Sequence, residues 1–186
     1  RERVNTPAQA AQVLYDAADP YSRKVIIDKG MTAGVVAGSP VIDAFGVLGQ
    51  VTRVYGPTSE VTLITDADQA IPVLNTRTGV RGVAFGDLTA ASGGLELGFT
   101  PADTDVQVGD MLSTSGVDGL YPPGLAVARV NQVQRRSESV FARISLTPLA
   151  LVRGTTHVMV LQPVNSQIEA RPEDAPSAAP ARAPRP

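Results

Sequence analysis

Residues 35–54 read VVAGSPVIDAFGVLGQVTRV, and the same pattern returns, altered, over residues 106–133. Val106 and Gly109 follow Val35 and Gly38 by 71 residues, whereas Val130 and Val133 follow Val51 and Val54 by 79. The second copy has therefore gained 8 residues. The gain falls where the first copy has only AFGVLG (44–49) and the second has SGVDGLYPPGL (115–125). Another apolar alternation follows each copy, Val61 and Leu63 in one case, Ala142 and Ile144 in the other. Repeats of this length mark duplicated units rather than solenoid turns, so the stretch predicts two copies of one small β unit.

Working outward, strands are expected over 12–16, 24–28, 40–43, 48–55, 60–64 and 71–75. In the second half they are expected over 82–85, 95–99, 110–114, 126–134, 140–147 and 157–161. Gly-, Pro- and Asp-rich turns separate them, and short strands at this spacing suggest an all-β sandwich or barrel. Residues 65–70 (TDADQA) read as a helical turn, and the Gly/Ser-rich residues 86–94 as the loop of a hairpin. Gly30, Gly34, Gly38, Gly49, Gly109, Gly116 and Gly124 fall at strand ends, where backbone geometry accounts for them without a ligand.

This reading divides the chain into four parts. Residues 1–11 are read as a short helical remnant of a longer upstream coiled coil, 12–79 as the first barrel and 80–162 as the second. Residues 163–186, with Pro at 163, 172, 176, 180, 184 and 186, read as a disordered Pro/Ala/Arg tail.

Composition narrows the function. Hydrophobic residues make up 43% of the 186, the formal net charge is −2 and acidic and basic residues are interspersed, which argues against a nucleic-acid partner. Cysteine and tryptophan are absent, and no run reaches the roughly 18 apolar residues of a membrane span. The chain opens at Arg1 and is expected to be an excised soluble fragment.

A barrel pair raises the question of a chymotrypsin-like Ser-His-Asp site. His157 is the single histidine, and every serine of the globular part precedes it, so the His-Asp-Ser order cannot be met; no G-x-S-x-G elbow occurs either. Ser92-Gly93-Gly94 only partly resembles a nucleophile turn. The surviving alternative is a degenerate hydrolase pairing Ser113 or Ser115 with His157. One histidine and no cysteine leave no metal site, Asp66 and Asp68 lack the rest of a calcium loop, and Lys24 and Lys29 lie outside any phosphate-binding loop. Asp103 and Asp105 read as a solvated turn, no cofactor is called for, and the low aromatic content speaks against a glycan-stacking platform. The insertion at Leu120, Tyr121, Pro122 and Pro123 is the candidate partner-binding loop, since proline stiffening reduces the entropy lost on docking.

Several segments, in this order, resemble the MreC family of rod-shape-determining proteins: VIIDKGMTAGVVAGSPVIDAFGVLGQVTRV, SEVTLITDADQAIPV, RTGVRGVAFG, VQVGDMLSTSGVDGLYPPGLAVARV and HVMVLQP. The resemblance implies two six-stranded β-barrels, similar to chymotrypsin-like barrels but without catalytic residues. It also implies a non-enzymatic scaffold of the cell-elongation machinery that organises peptidoglycan synthesis at the periplasmic face of the bacterial inner membrane. An anchoring membrane helix would lie outside this sequence. Expected partners are further copies of the chain as a dimer or filament, the elongation-specific penicillin-binding transpeptidase, MreD and, indirectly, MreB. Exposed strand edges and loops are the expected docking elements.

Overall fold

The computed structural model describes residues 6–17, 21–87 and 94–164. Within them the alternating stretches form β1 (Ala8–Asp16), β2 (Lys24–Ile27), β3 (Pro40–Ile42), β4 (Val47–Val54), β5 (Ser59–Leu63) and β6 (Ala70–Asn75). The second half supplies β7 (Arg81–Asp87), β8 (Gly94–Pro101), β9 (Met111–Thr114), β10 (Ala126–Gln134), β11 (Phe141–Pro148) and β12 (His157–Leu161). They close into two antiparallel six-stranded barrels, ordered β1-β12-β3-β4-β5-β2 and β10-β11-β8-β7-β6-β9. Period-two patterning explains the closure: along β11, for example, Ala142, Ile144 and Leu146 are buried while Phe141 and Arg143 face water.

The repeat holds at the level of single hydrogen bonds. Gly38 N–H donates to Val51 O at 2.8 Å, as Gly109 N–H does to Val130 O. Val51 N–H donates to Ser39 O and Val130 N–H to Asp110 O, each at 2.9 Å. Gly38 and Gly109 take φ of 91° and 92°, a conformation that costs other residues a steric clash. Gly34, Gly116 and Gly124 also take positive φ. Gly30 and Gly49 do not; there a Cβ would run into the carbonyl oxygens of Thr58 and Thr62.

Several expectations require correction. Residues 8–11 are not helical: they open β1, where Ala8 pairs with Leu161 and Ala11 with Val158. The expected helical remnant otherwise falls on residues 1–5, outside the described residues, and on 6–7, which belong to no element. The boundary at 79/80 also fails, because β6 belongs to the second barrel and β12 returns to close the first. Chain proximity suggested the opposite, but β6 finds its hydrogen-bonding partners in β7 and β9. Of residues 65–70, 65–68 form turns rather than a helical turn and Ala70 opens β6, with the Asp66 carboxylate accepting from the backbone N–H of Arg23 and Asp68. Of the expected tail, Pro163 is buried and Val164 N–H donates to Leu120 O; residues 165–186 lie outside the described residues. Closed barrels leave no strand edge for docking among the described residues.

Each barrel has its own core. Val25, Ile27, Val41, Val51, Val61, Val158 and Val160 fill the first, and Ile71, Val73, Leu95, Val127, Ile144 and Leu146 lie in the second. Between them, Val152 packs on both cores, the Leu151 N–H donates to Asp43 Oδ2 (2.6 Å), and Gly46 lies so close to Ala126 O that no side chain fits.

Candidate docking surface

The loop expected to bind partners turns inward. Tyr121 is 2% exposed, and the Gln69 side-chain amide donates both to Tyr121 Oη (3.3 Å) and to Gln50 Oε1 on β4 (2.9 Å). Burial, with the Asp118 carboxylate adding to it, pushes the Tyr121 phenol well above its usual range. Pro122 is buried and its carbonyl accepts from Thr114 Oγ1 (2.6 Å); Leu120 is half-buried beside Gly38, and Pro123 alone is exposed. The inserted residues thus fasten one barrel to the other instead of presenting apolar surface. A loop rich in apolar residues was bound to bury them if a neighbouring barrel offered a place.

The surface that does stand out lies on β8 and β11. Leu97 pairs with Ile144 and Thr100 with Ala142, so β8 carries one residue more than its partner and forms a β-bulge at Gly98 and Phe99. Gly98 is needed there because the ring of Phe85 occupies the space a Cβ would take. Phe99 then adopts φ 46°, and it is the only non-glycine residue with positive φ among those described. A bulky residue in that region stores about 1 kcal/mol or more, a cost that concentrates at functional sites.

Phe99 is also 84% exposed. Its ring meets that of Phe141, itself 50% exposed, edge to face at 6.1 Å between centroids, and Val140 beside it is 77% exposed. The Phe141 N–H is held by Ser139 Oγ at 3.2 Å. Arg143 and Glu96, 3.7 Å apart, form a charged rim. Two depressions meet at Phe99: one of about 570 Å³ bordered by Phe85, Phe141 and Arg143, the other of about 220 Å³ reaching toward Val80 and Leu97. An apolar centre with aromatic anchors and a charged rim is the make-up of a protein-docking patch.

The other candidate residues do not assemble. Ser113 lies on β9 and Ser115 follows it in the second barrel, whereas His157 lies exposed on β12 of the first, its Nδ1 paired with Thr156 Oγ1 at 2.9 Å. Asp105 does not lie in a merely solvated turn: it and Asp110 accept from two N–H edges of the Arg77 guanidinium, at 3.0 and 2.8 Å. Arg77, then the Asn75 amide and the Gln107 N–H, hold the Asp110 carboxyl far below its usual range against the opposing effect of burial. The cluster stakes the turn before β9 and leaves no open coordination or substrate position. Among the described residues, no group of three or more His, Cys, Asp or Glu could hold a metal ion, and no helix is long and apolar enough to cross a membrane. Ser22 Oγ and Ser59 Oγ are buried without a hydrogen-bond partner; the structure offers no physical account of either.

Two interlocked antiparallel six-stranded barrels define a tandem-barrel module. The chain belongs to the family described as "Rod shape-determining protein MreC, barrel core", whose model matches residues 13–162. It is similar to the cell shape-determining protein MreC of Escherichia coli (strain K12), 38% identical over 159 residues that make up 86% of this chain and 43% of that protein. The MreC of Haemophilus influenzae is 38% identical over 166 residues, 89% of this chain and 47% of the relative. The chain therefore spans about half the length of the curated relatives it matches. Among solved structures, MreC from Pseudomonas aeruginosa superposes with a TM-score of 0.77 at 33% identity, covering 83% of this chain and 98% of that one. A solved complex of a penicillin-binding protein (PBP2) with MreC from Helicobacter pylori contains the same fold, at TM-score 0.64 and 14% identity over 84% of this chain and 99% of that one. The family is one of structural cell-shape proteins, not of enzymes, which removes the hydrolase alternative.

Proposed function

We propose that the chain is a periplasmic scaffold of the cell-elongation machinery and that it engages a penicillin-binding transpeptidase through the Phe99–Phe141 face of its second barrel. The observation that carries the choice of surface is Phe99 itself, an aromatic ring held almost fully in water by a backbone conformation that costs stability. The choice of partner is supported by the H. pylori complex, in which an MreC of this fold is joined to PBP2. A periplasmic setting and filament formation are supported by a solved relative described as the major periplasmic domain of the cell shape-determining filament MreC. An anchoring helix and links to MreD and MreB belong to the same proposal and rest on family resemblance.

Phe99→Gly tests the surface cleanly. Glycine accepts the αL conformation, so the variant is expected to fold at least as stably as wild type while losing the central anchor. Binding to the transpeptidase of the same species, measured by biosensor, should weaken by about 2 kcal/mol or more, roughly 30-fold. Unchanged affinity in a folded variant rejects this face as the docking site.

A further inference from the structure

Strand roles in the two barrels correspond one to one. β1 to β5 occupy in the first barrel the positions that β7 to β11 occupy in the second, with β3-β4-β5-β2-β1 matched by β9-β10-β11-β8-β7. The remaining position, between β1 and β3 or between β7 and β9, is taken by β12 in the first barrel and by β6 in the second. Those two strands also match in sequence. Residues 71–75 read IPVLN and 158–162 read VMVLQ, with Ile71 and Val73, Val158 and Val160 all buried. Yet β6 follows β5, and β12 follows β11. The repeat unit is therefore six strands long, β1 to β6 and β7 to β12, and each unit completes the barrel of the other.

We infer that β12 is an exchangeable strand, able to close the first barrel of a second copy of this chain as it closes its own. This deepens the self-association part of the proposed function and rests on it. The two sixth strands are not equally free. β6 is held between β5 and β7, so it cannot leave without opening both barrels, whereas β12 is joined to the described strands by one connection, residues 149–156. Departure of β12 would leave β1 and β3 as facing edges with unpaired backbone groups and an open core at Ala11 and Val41. A strand with the alternation of Val158, Val160 and Leu161 refills that slot, and the β12 of another copy remakes every contact except those of the connecting loop. Reciprocal exchange gives a closed dimer; one-way donation gives an open chain of copies.

The absence of cysteine makes the test direct. Val13 N–H donates to Thr156 O and Gln162 N–H to Pro7 O in the β1–β12 register, which places Ala10 opposite Met159 at a non-hydrogen-bonded site. The Cα separation there is about 4.5 Å, within disulfide range. The A10C/M159C variant is refolded reduced at high protein concentration, species larger than the monomer are isolated, oxidised and run denatured without reductant. Covalently linked dimers or ladders are expected, and closing the disulfide in the monomer beforehand should abolish the larger species. Q12C/H157C, both positions exposed on the same strand pair, repeats the experiment should the first pair perturb folding. Assembled material that resolves entirely into single disulfide-closed chains overturns strand exchange and leaves self-association to another surface. A variant that folds and never assembles overturns both.

Discussion

The β2–β5 pair of the first barrel and the β8–β11 pair of the second do the same architectural work in different ways. β2 and β5 run in unbroken register from Lys24↔Thr62 to Ile27↔Ser59. β8 and β11 slip by one residue, and the residue left over is Phe99. This strand pair is closed without a bulge in one copy, so a bulge at the equivalent place in the other is not required by the fold and is available for recognition. The turn loops show the converse. In the first copy Phe45 is 59% exposed on a short loop; in the second, the longer loop carries Tyr121 into the space between the barrels. Apolar content alone thus does not decide which loop stays exposed.

The largest expected effect contrasts those two loops. Tyr121→Asp places a carboxylate in a buried site and strands Gln69, and should lower unfolding free energy by about 4 kcal/mol in urea titration. Phe45→Asp should change it by less than about 0.5 kcal/mol, because the side chain is in water already. Similar losses for both would show that the loops are equivalent after all. Next comes the turn that precedes β9 or β3. Asp110→Ala removes the acceptor of Arg77, Asn75 and Gln107 and should cost roughly 2 kcal/mol, whereas Ser39→Ala loses one hydrogen bond to Val36 O and should cost about 1 kcal/mol.

Titration sharpens the same contrast. Asp110 has a folded pKa depressed below that of the unfolded chain, so its contribution is complete above the unfolded carboxylate range and is lost as pH falls toward the folded value. Wild-type stability should decline as pH drops below about 4, and Asp110→Asn should flatten part of that decline. An unchanged slope would remove the Arg77 cluster from the acid response. The smallest effect is on the bulge: Phe99→Gly should raise the thermal midpoint by a few degrees, an effect of about 1 kcal/mol, whereas glycine at Ile26 of the regular β2 should lower it.

Strand positions were legible because alternation is local, and β10 and β12 fall where the pattern of valines put them. Their assignment to barrels was not. β6 and β12 have nearly the same apolar pattern, so nothing within either strand says which slot it fills, and nearness along the chain pointed the wrong way. Tyr121 misled for a related reason: its partners Gln69 and Gln50 are distant in sequence, and a proline-rich apolar loop reads the same whether it covers a barrel or awaits a ligand. Phe99 gave no sign beyond the glycine before it, since a bulge is a mismatch between two strands and cannot be seen in one.

Gln162 N–H donates to Pro7 O, so both ends of the described barrel pair emerge side by side from β1 and β12. A load that draws those ends apart would peel the two antiparallel strands open one rung at a time instead of shearing all rungs together. The first barrel would act as a mechanical fuse, yielding at β12 under modest force, while the second, with both of its chain entries inside the molecule, would keep its shape and its aromatic face.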